Sequence, residues 1–272
     1  MDERGSRPPE DFEARLARLD LSLFDAIPSQ STPNDRRSLL ALQAAVRERS
    51  PSFAYLEIGS HLGGTIQPYL LDARCARVFS IDSRPASQPD ERGPSFAYPE
   101  NSTRRMLELL RTVSPSGAEK VLCRDARARD VEETWVRPRP ALCFVDGEHT
   151  DRAVREDASF CLAVLGGEGV LAFHDASIVY NGLHGLLEDL ARAGTTFVAY
   201  HLPDSVFVVE IGDAPLHRSH VIAPLLVNNH VGFLAALRAN DHYRRFYNRA
   251  PFQALRGLYG ALARVAPRRA RP

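Results

Sequence analysis

Along the middle of the chain, short apolar runs alternate with stretches whose apolar residues recur every three or four positions. The runs fall at 53–58, 78–82, 119–123, 141–146 and 168–174. Their length and their β-branched and aromatic content predict buried strands. Helical spacing between them predicts helices near 64–73, 101–113, 127–134 and 151–164. Strands alternating with helices predict an α/β fold: a Rossmann-like, doubly wound and mostly parallel sheet with helices on both faces. After a helix near 182–193 come two further runs, 195–201 and 205–211, separated only by Leu202-Pro203-Asp204. So short a link fits an antiparallel hairpin, so the last strand is expected to run antiparallel.

The flanks have a different pattern. Residues 1–10 are polar, and helical patterns follow at 11–26 and 35–49, the second opened by the start signal Ser31-Thr32-Pro33-Asn34-Asp35. The segment 84–100, rich in Pro, Ser, Asp and Gly, is too long for a tight turn and is expected to form a lid or substrate loop. Helical patterns return at 231–246 and 251–266, the latter with Phe252, Leu255, Leu258, Tyr259, Leu262 and Val265 on one stripe. The expected organisation is an N-terminal helical extension (1–35), a central α/β domain (36–212) and a C-terminal helical extension (213–272).

Composition narrows the classes. A chain of 272 residues, 44% hydrophobic and 25% charged, has enough apolar material for one large globular domain with appendages. Lys+Arg and Asp+Glu are equal at 34 each, which argues against a general polyanion binder and so against nucleic acid. Cys75, Cys123, Cys143 and Cys161 show no CxxC spacing, so reduced core cysteines and a cytoplasmic protein are expected. No signal peptide pattern and no long uncharged apolar stretch is present. From Arg238 onward nine arginines face one acid, Asp241. Arg249, Arg256 and Arg264 form one ridge beside the apolar stripe, which favours packing on protein, as a homo-oligomer or an intramolecular clasp, over peripheral membrane contact.

Chemistry concentrates at strand ends. Tyr55-Leu56-Glu57-Ile58-Gly59-Ser60-His61-Leu62-Gly63-Gly64-Thr65 reads as strand, glycine-rich turn and helix, a unit that lets backbone approach a ligand. Asp82 ends the next run, 25 residues after Glu57, where an acid can hold the two hydroxyls of a ribose. Two later runs end in Asp146-Gly147-Glu148-His149 and in His174-Asp175. In a parallel sheet these ends share one rim with the glycine turn, so Asp146, His149, His174 and Asp175 are expected to converge. Such a group suits a divalent metal or proton transfer, with Asp146 and Asp175 as hard oxygen ligands.

In this order, Glu57-x-Gly59 with Gly63-Gly64, Ile81-Asp82, Cys123-Arg124-Asp125-Ala126, Phe144-Val145-Asp146-Gly147-Glu148-His149, Asp157, Gly166-Gly167 and Phe173-His174-Asp175 resemble the class I S-adenosylmethionine-dependent methyltransferases. The likeness spans about residues 36–211 and is greatest to a branch with FxDGxH and GG-x(5,6)-HD strand ends, related to small-molecule O-methyltransferases. The resemblance implies S-adenosylmethionine as cofactor. Glu57, Gly59 and Ser60 would line its methionine part, Asp82 would hold its ribose, Asp125 and Ala126 would sit by its adenine, Asp146 would face the methyl group, and Gly63 would also belong to the cofactor turn. It also implies Mg²⁺ or Mn²⁺ at Asp146 and Asp175 with His174 third; without metal, His149 or His174 would act as base. His61-Leu62 and Ser60 depart from the tightest glycine pattern, and His174-Asp175 departs from the acid-acid or Asp-Asn pair of the better metal sites. The implied function is O-methylation of a hydroxyl on a small or glycosylated molecule. The alternatives are a same-fold hydroxylase-type metalloenzyme and a non-catalytic module docked through its basic tail.

Overall fold

The computed structural model describes residues 11–242, 249–252 and 254–255. The polar stretch 1–10, most of the helix expected at 251–266 and the arginines at 244, 245, 256, 264, 268, 269 and 271 lie outside the described residues.

Seven strands form the main sheet: β1 (Phe53–Ile58), β2 (Cys75–Ile81), β5 (Val121–Arg124), β6 (Leu142–Val145), β7 (Gly169–Phe173), β8 (Phe197–His201) and β9 (Phe207–Ile211). Their order is β5-β2-β1-β6-β7-β9-β8. Pairings among β5, β2, β1, β6 and β7 are parallel, while β9 is antiparallel to both neighbours. The order reverses between β1 and β6, so a crevice opens there at the strands' C-terminal ends, where ligands bind in open α/β sheets.

Side chains alternate between two cores, as the period of two dictates. Tyr55, Phe144, Val170, Ala172 and Val208 pack with α2 (Pro33–Arg49), α3 (Gln67–Leu71) and α4 (Thr103–Val113). Leu56, Cys143, Val145, Phe173 and Val209 pack with α6 (Asp151–Leu165) and α7 (Tyr180–Arg192) on the other face. The cover helices α2 and α6 start where a side-chain cap provides for it. In α2, Thr32 and Asp35 form a reciprocal capping box with Pro33 in the first turn; in α6, Thr150 caps Ala153 N–H and Gly166 ends the helix at φ +71°.

Several expectations are corrected. The pattern at 11–26 is α1 (Phe12–Ala17) followed by a 3-10 turn, Leu21–Phe24, broken where Leu19 turns left-handed and Asp20 caps Ser22. The stretch 127–134 holds two 3-10 turns, Ala128–Asp130 and Glu133–Trp135, with β-branched Val131 extended between them. The segment 84–100 is ordered as a small hairpin, β3 (Ser87–Pro89) against β4 (Ser95–Ala97). Its strands are short and polar, so no alternation announced them. Two short helices, α5 (Pro115–Ala118) and α8 (Ala223–Leu226), carry no periodic signal, and α9 (His230–His242) follows.

Candidate active site

The crevice begins at Gly59. Its φ is +88°, and a Cβ there would lie 2.1 Å from the carbonyl oxygen of Asp146. The amide of Gly59 donates to Ile81 O (2.9 Å) and that of Asp146 to Ile58 O (2.8 Å), so the ends of β1, β2 and β6 are locked together. Two cavities meet at this glycine. One of about 420 Å³ is lined by Gly59–Leu62, Tyr98, Asp146, His149, His174, Asp175 and the small residues Gly232, Ala235, Ala236 and Ala239 of α9. The second, about 170 Å³, is lined by Asp82, Ala126, Gly147 and Asp157 and covered by Ser87–Pro89 of the hairpin.

The expected cofactor residues separate into lining and supporting groups. Gly59 and Ser60 line the first cavity, and Asp82 and Ala126 line the second. Glu57 lies beneath the turn, 1% exposed, and accepts hydrogen bonds from the Tyr55 hydroxyl (2.6 Å) and the Thr65 hydroxyl (2.8 Å). Burial pushes its carboxyl up to about 7, against the lowering effect of those two hydroxyls. Gly63 faces α4, where a Cβ would meet Leu110 at 2.9 Å. Asp82 accepts from the amides of His61 (2.9 Å) and Arg84 (2.7 Å) and pairs with the Arg84 guanidinium at 3.3 Å. Asp125 is bound by the Thr103 hydroxyl and lies 3.6 Å from Arg84.

At the rim, ligand atoms of Asp146, His149 and Asp175 lie within 4.8 Å of one another. His149 Nε2 faces Asp146 Oδ1 at 3.5 Å and Asp175 Oδ2 at 3.4 Å, while Nδ1 faces Asp90 Oδ2 at 3.5 Å. An outer carboxylate on one ring nitrogen fixes the ring and leaves the other for a metal. Asp90 belongs to the hairpin and is itself gripped by Arg92 Nε (2.8 Å) and Nη2 (2.9 Å). The amide of Glu91 donates to His149 O (2.9 Å), so hairpin and site are joined.

His174, expected as third ligand, also faces both rim acids, its Nδ1 lying 3.6 Å from Asp175 Oδ2. Its Nδ1 lies 3.1 Å from Asp146 Oδ1 and its Nε2 lies 3.3 Å from Asp35 Oδ2, so both nitrogens are engaged by carboxylates. Both imidazoles line the larger cavity with the rim acids; His149 is half-buried as the two acids are, whereas His174 is buried. Burial disfavours charge on His149, yet hydrogen bonds to Asp146 and Asp90 outweigh it and lift the ring to about 10. For His174 too, burial is overcome by Asp146 and Asp175, and its proton is held well above the usual range. Asp146 and Asp175 are held low: the two imidazoles outweigh the cost of burial. Asp35 and Asp90 escaped the sequence reading. Asp35 was visible only as a helix start signal, and Asp90 as one polar residue in a polar loop.

Residues 56–176 match the model of a family described as a methyltransferase domain. No curated protein matches the chain significantly. Among solved structures, the apo TDP-rhamnose 3'-O-methyltransferase of calicheamicin biosynthesis aligns with a TM-score of 0.50 at 13% identity, covering 78% of this chain and 100% of that one. The O-methyltransferase TomG from Streptomyces achromogenes, involved in tomaymycin synthesis and solved with S-adenosylmethionine, aligns at 0.47 with 18% identity, covering 74% and 89%. An O-methyltransferase from Bacillus cereus, solved with S-adenosylhomocysteine, aligns at 0.47 with 14% identity, covering 75% and 92%. With the sheet order and the crevice at Gly59, the family match shows that the chain carries a methyltransferase domain over residues 56–176, on a Rossmann-like α/β sheet.

Proposed function

We propose that the enzyme methylates a hydroxyl oxygen of a small molecule with the help of a divalent ion held by Asp146, His149 and Asp175. One observation carries this reading: two carboxylates and an imidazole converge beside the cofactor turn, on the wall of the larger cavity. Their oxygen and nitrogen donors suit Mg²⁺ or Mn²⁺. Bound here, such an ion supplies Lewis acidity that lowers the pKa of a coordinated acceptor hydroxyl. S-adenosylmethionine supplies a methyl group already activated on sulfur.

The chain's own residues do the remaining work. Gly59 and Ser60 border the methionine side, and Asp82 and Ala126 the adenosine side, across the point where the two cavities meet. In-line transfer gains most from holding the acceptor in place, and Asp146 and Asp175 would fix its oxygen relative to the methyl. The small side chains of Ala235, Ala236 and Ala239 leave room for the acceptor while walling the cavity on that side. His149 is a poor general base in this setting, because the surrounding carboxylates hold its proton up to about 10, with burial as the opposing effect. Giving that proton up to take an ion on Nε2 is the role its geometry suits.

The test is methyl transfer by the full chain from S-adenosylmethionine to a panel of phenols, catechols and sugars, with S-adenosylhomocysteine as readout. Product analysis should place the methyl on oxygen, chelator should abolish turnover, and Mg²⁺ or Mn²⁺ should restore it. Full turnover in excess chelator, or methyl on nitrogen or carbon, would overturn the reading.

A further inference from the structure

Resting on this metal-assisted reading, we propose that Asp35 is a positioning residue of the active site, acting through His174 on Asp146. Asp35 belongs to α2, outside the matched segment 56–176, yet it is fully buried against the rim. Four donors converge on its carboxylate from three segments. Oδ1 accepts from the amide (3.0 Å) and hydroxyl (2.9 Å) of Ser205, in the turn between β8 and β9. Oδ2 accepts from the Thr32 amide (3.0 Å) and faces His174 Nε2 at 3.3 Å.

Capping of α2 accounts for the Thr32 contact alone. It requires neither Ser205 nor His174, and it is usually made at a solvated helix end. The remaining contacts tie α2, the β8–β9 turn and the end of β7 to one carboxylate. A carboxylate offers no proton, so Nε2 of His174 donates to Asp35. Nδ1, 3.1 Å from Asp146 Oδ1, likewise meets an acceptor. The ring is thus a two-ended brace between a buried anchor and a metal-binding acid. Such outer partners restrict a ligand to the rotamer that suits the ion. Asp90 serves His149 from the opposite side, so each inner group has an outer carboxylate behind it.

The test is Mn²⁺ affinity of the full chain, by calorimetry and by the spin resonance of free Mn²⁺, without acceptor or turnover. Asp35→Ala should weaken Mn²⁺ binding by about 10- to 100-fold, the usual cost of losing an outer-shell partner. Asp35→Asn, whose side chain can still partner Nε2, should recover most of that loss. Thr32→Ala, which removes the cap hydroxyl and leaves the His174 contact, should lower the melting temperature and keep the affinity. Combining Asp35→Ala with His174→Ala should weaken binding no more than His174→Ala alone, because both act through one brace. Should Asp35→Ala not fold, Asp35→Ser is the substitute, being too short to reach the ring. Unchanged affinity in the alanine or serine variant, or losses that add in the double variant, would overturn the proposal while the metal reading stands. No Mn²⁺ uptake by the unaltered chain would overturn both.

Discussion

A carboxylate on each side of its ring decides what His149 can do. With Asp90 behind it and Asp146 and Asp175 in front, the imidazole keeps its proton at neutral pH unless an ion displaces it. Ion binding must therefore compete with that proton. Mn²⁺ affinity is expected to rise with pH between about pH 6 and 9, and calorimetry in buffers of differing ionisation enthalpy should show proton release. A pH-independent affinity would mean that His149 is not a ligand. Glu57 gives a stability test of opposite character. Its folded pKa, raised by burial to about 7 from an ordinary 4.5, favours the protonated form. Its stabilising effect is full below about pH 4.5 and is lost as pH rises through 7, a change worth ~3 kcal/mol. Glu57→Gln should remove that loss, so the stability difference between variant and parent should grow in the variant's favour from pH 5 to 7, by denaturant titration; a constant difference would contradict the assignment. The rim acids and His149 were legible in the sequence because they end apolar runs. Asp35 and Asp90 were not, because their roles come from long-range closure: Asp35 meets Ser205 and His174, far along the chain.

Among the elements, the turn after β1 tolerates least. Gly59→Ala would force a side chain into positive φ, costing about 1–3 kcal/mol, and would drive its Cβ to 2.1 Å from the Asp146 carbonyl. Melting should fall by several degrees or the variant should fail to accumulate; an unchanged melting temperature would mean that the ends of β1 and β6 are not tightly joined. The helix α9 sits on the other side of the cavity, where Ala236 faces its interior. Ala236→Leu should impair turnover with bulky acceptors while leaving S-adenosylhomocysteine affinity near the parent value; equal loss of both would show that α9 serves the cofactor instead. The β3–β4 hairpin was legible only as a loop over the site. Ser87–Pro89 line the second cavity, and Asp90 and Glu91 join the hairpin to His149, contacts between residues far apart in the chain. The misread 127–134 stretch has the same lesson: apolar spacing was present, but the extended pair Val131 and Glu132 divided it into two turns.

For the molecule as a whole, the sheet was the most legible feature, since its central strands β1, β6 and β7 are buried on both faces and so read as continuous apolar runs. Among the described residues no helix is long and apolar enough to cross a membrane. The C-terminal extension was read as a packing element and as a source of substrate wall, and Gly232, Ala235, Ala236 and Ala239 of α9 line the larger cavity. Val227, Val231, Leu234, Phe252 and Leu255 nonetheless stay 45–68% exposed, which keeps a homo-oligomer through this extension as the expectation. Light scattering should give a mass above one chain; a monomer that binds anionic vesicles would contradict it. The central claim is that Asp146, His149 and Asp175 hold a divalent ion beside the methyl donor. Its most direct test is a crystal structure of the full chain with Mn²⁺ and S-adenosylhomocysteine, with the ion located by anomalous scattering. The account predicts one peak within coordination reach of both carboxylates and of His149 Nε2, with His174 still braced on Asp35. A peak bound by His174 in place of His149, or no peak at the rim, would contradict it.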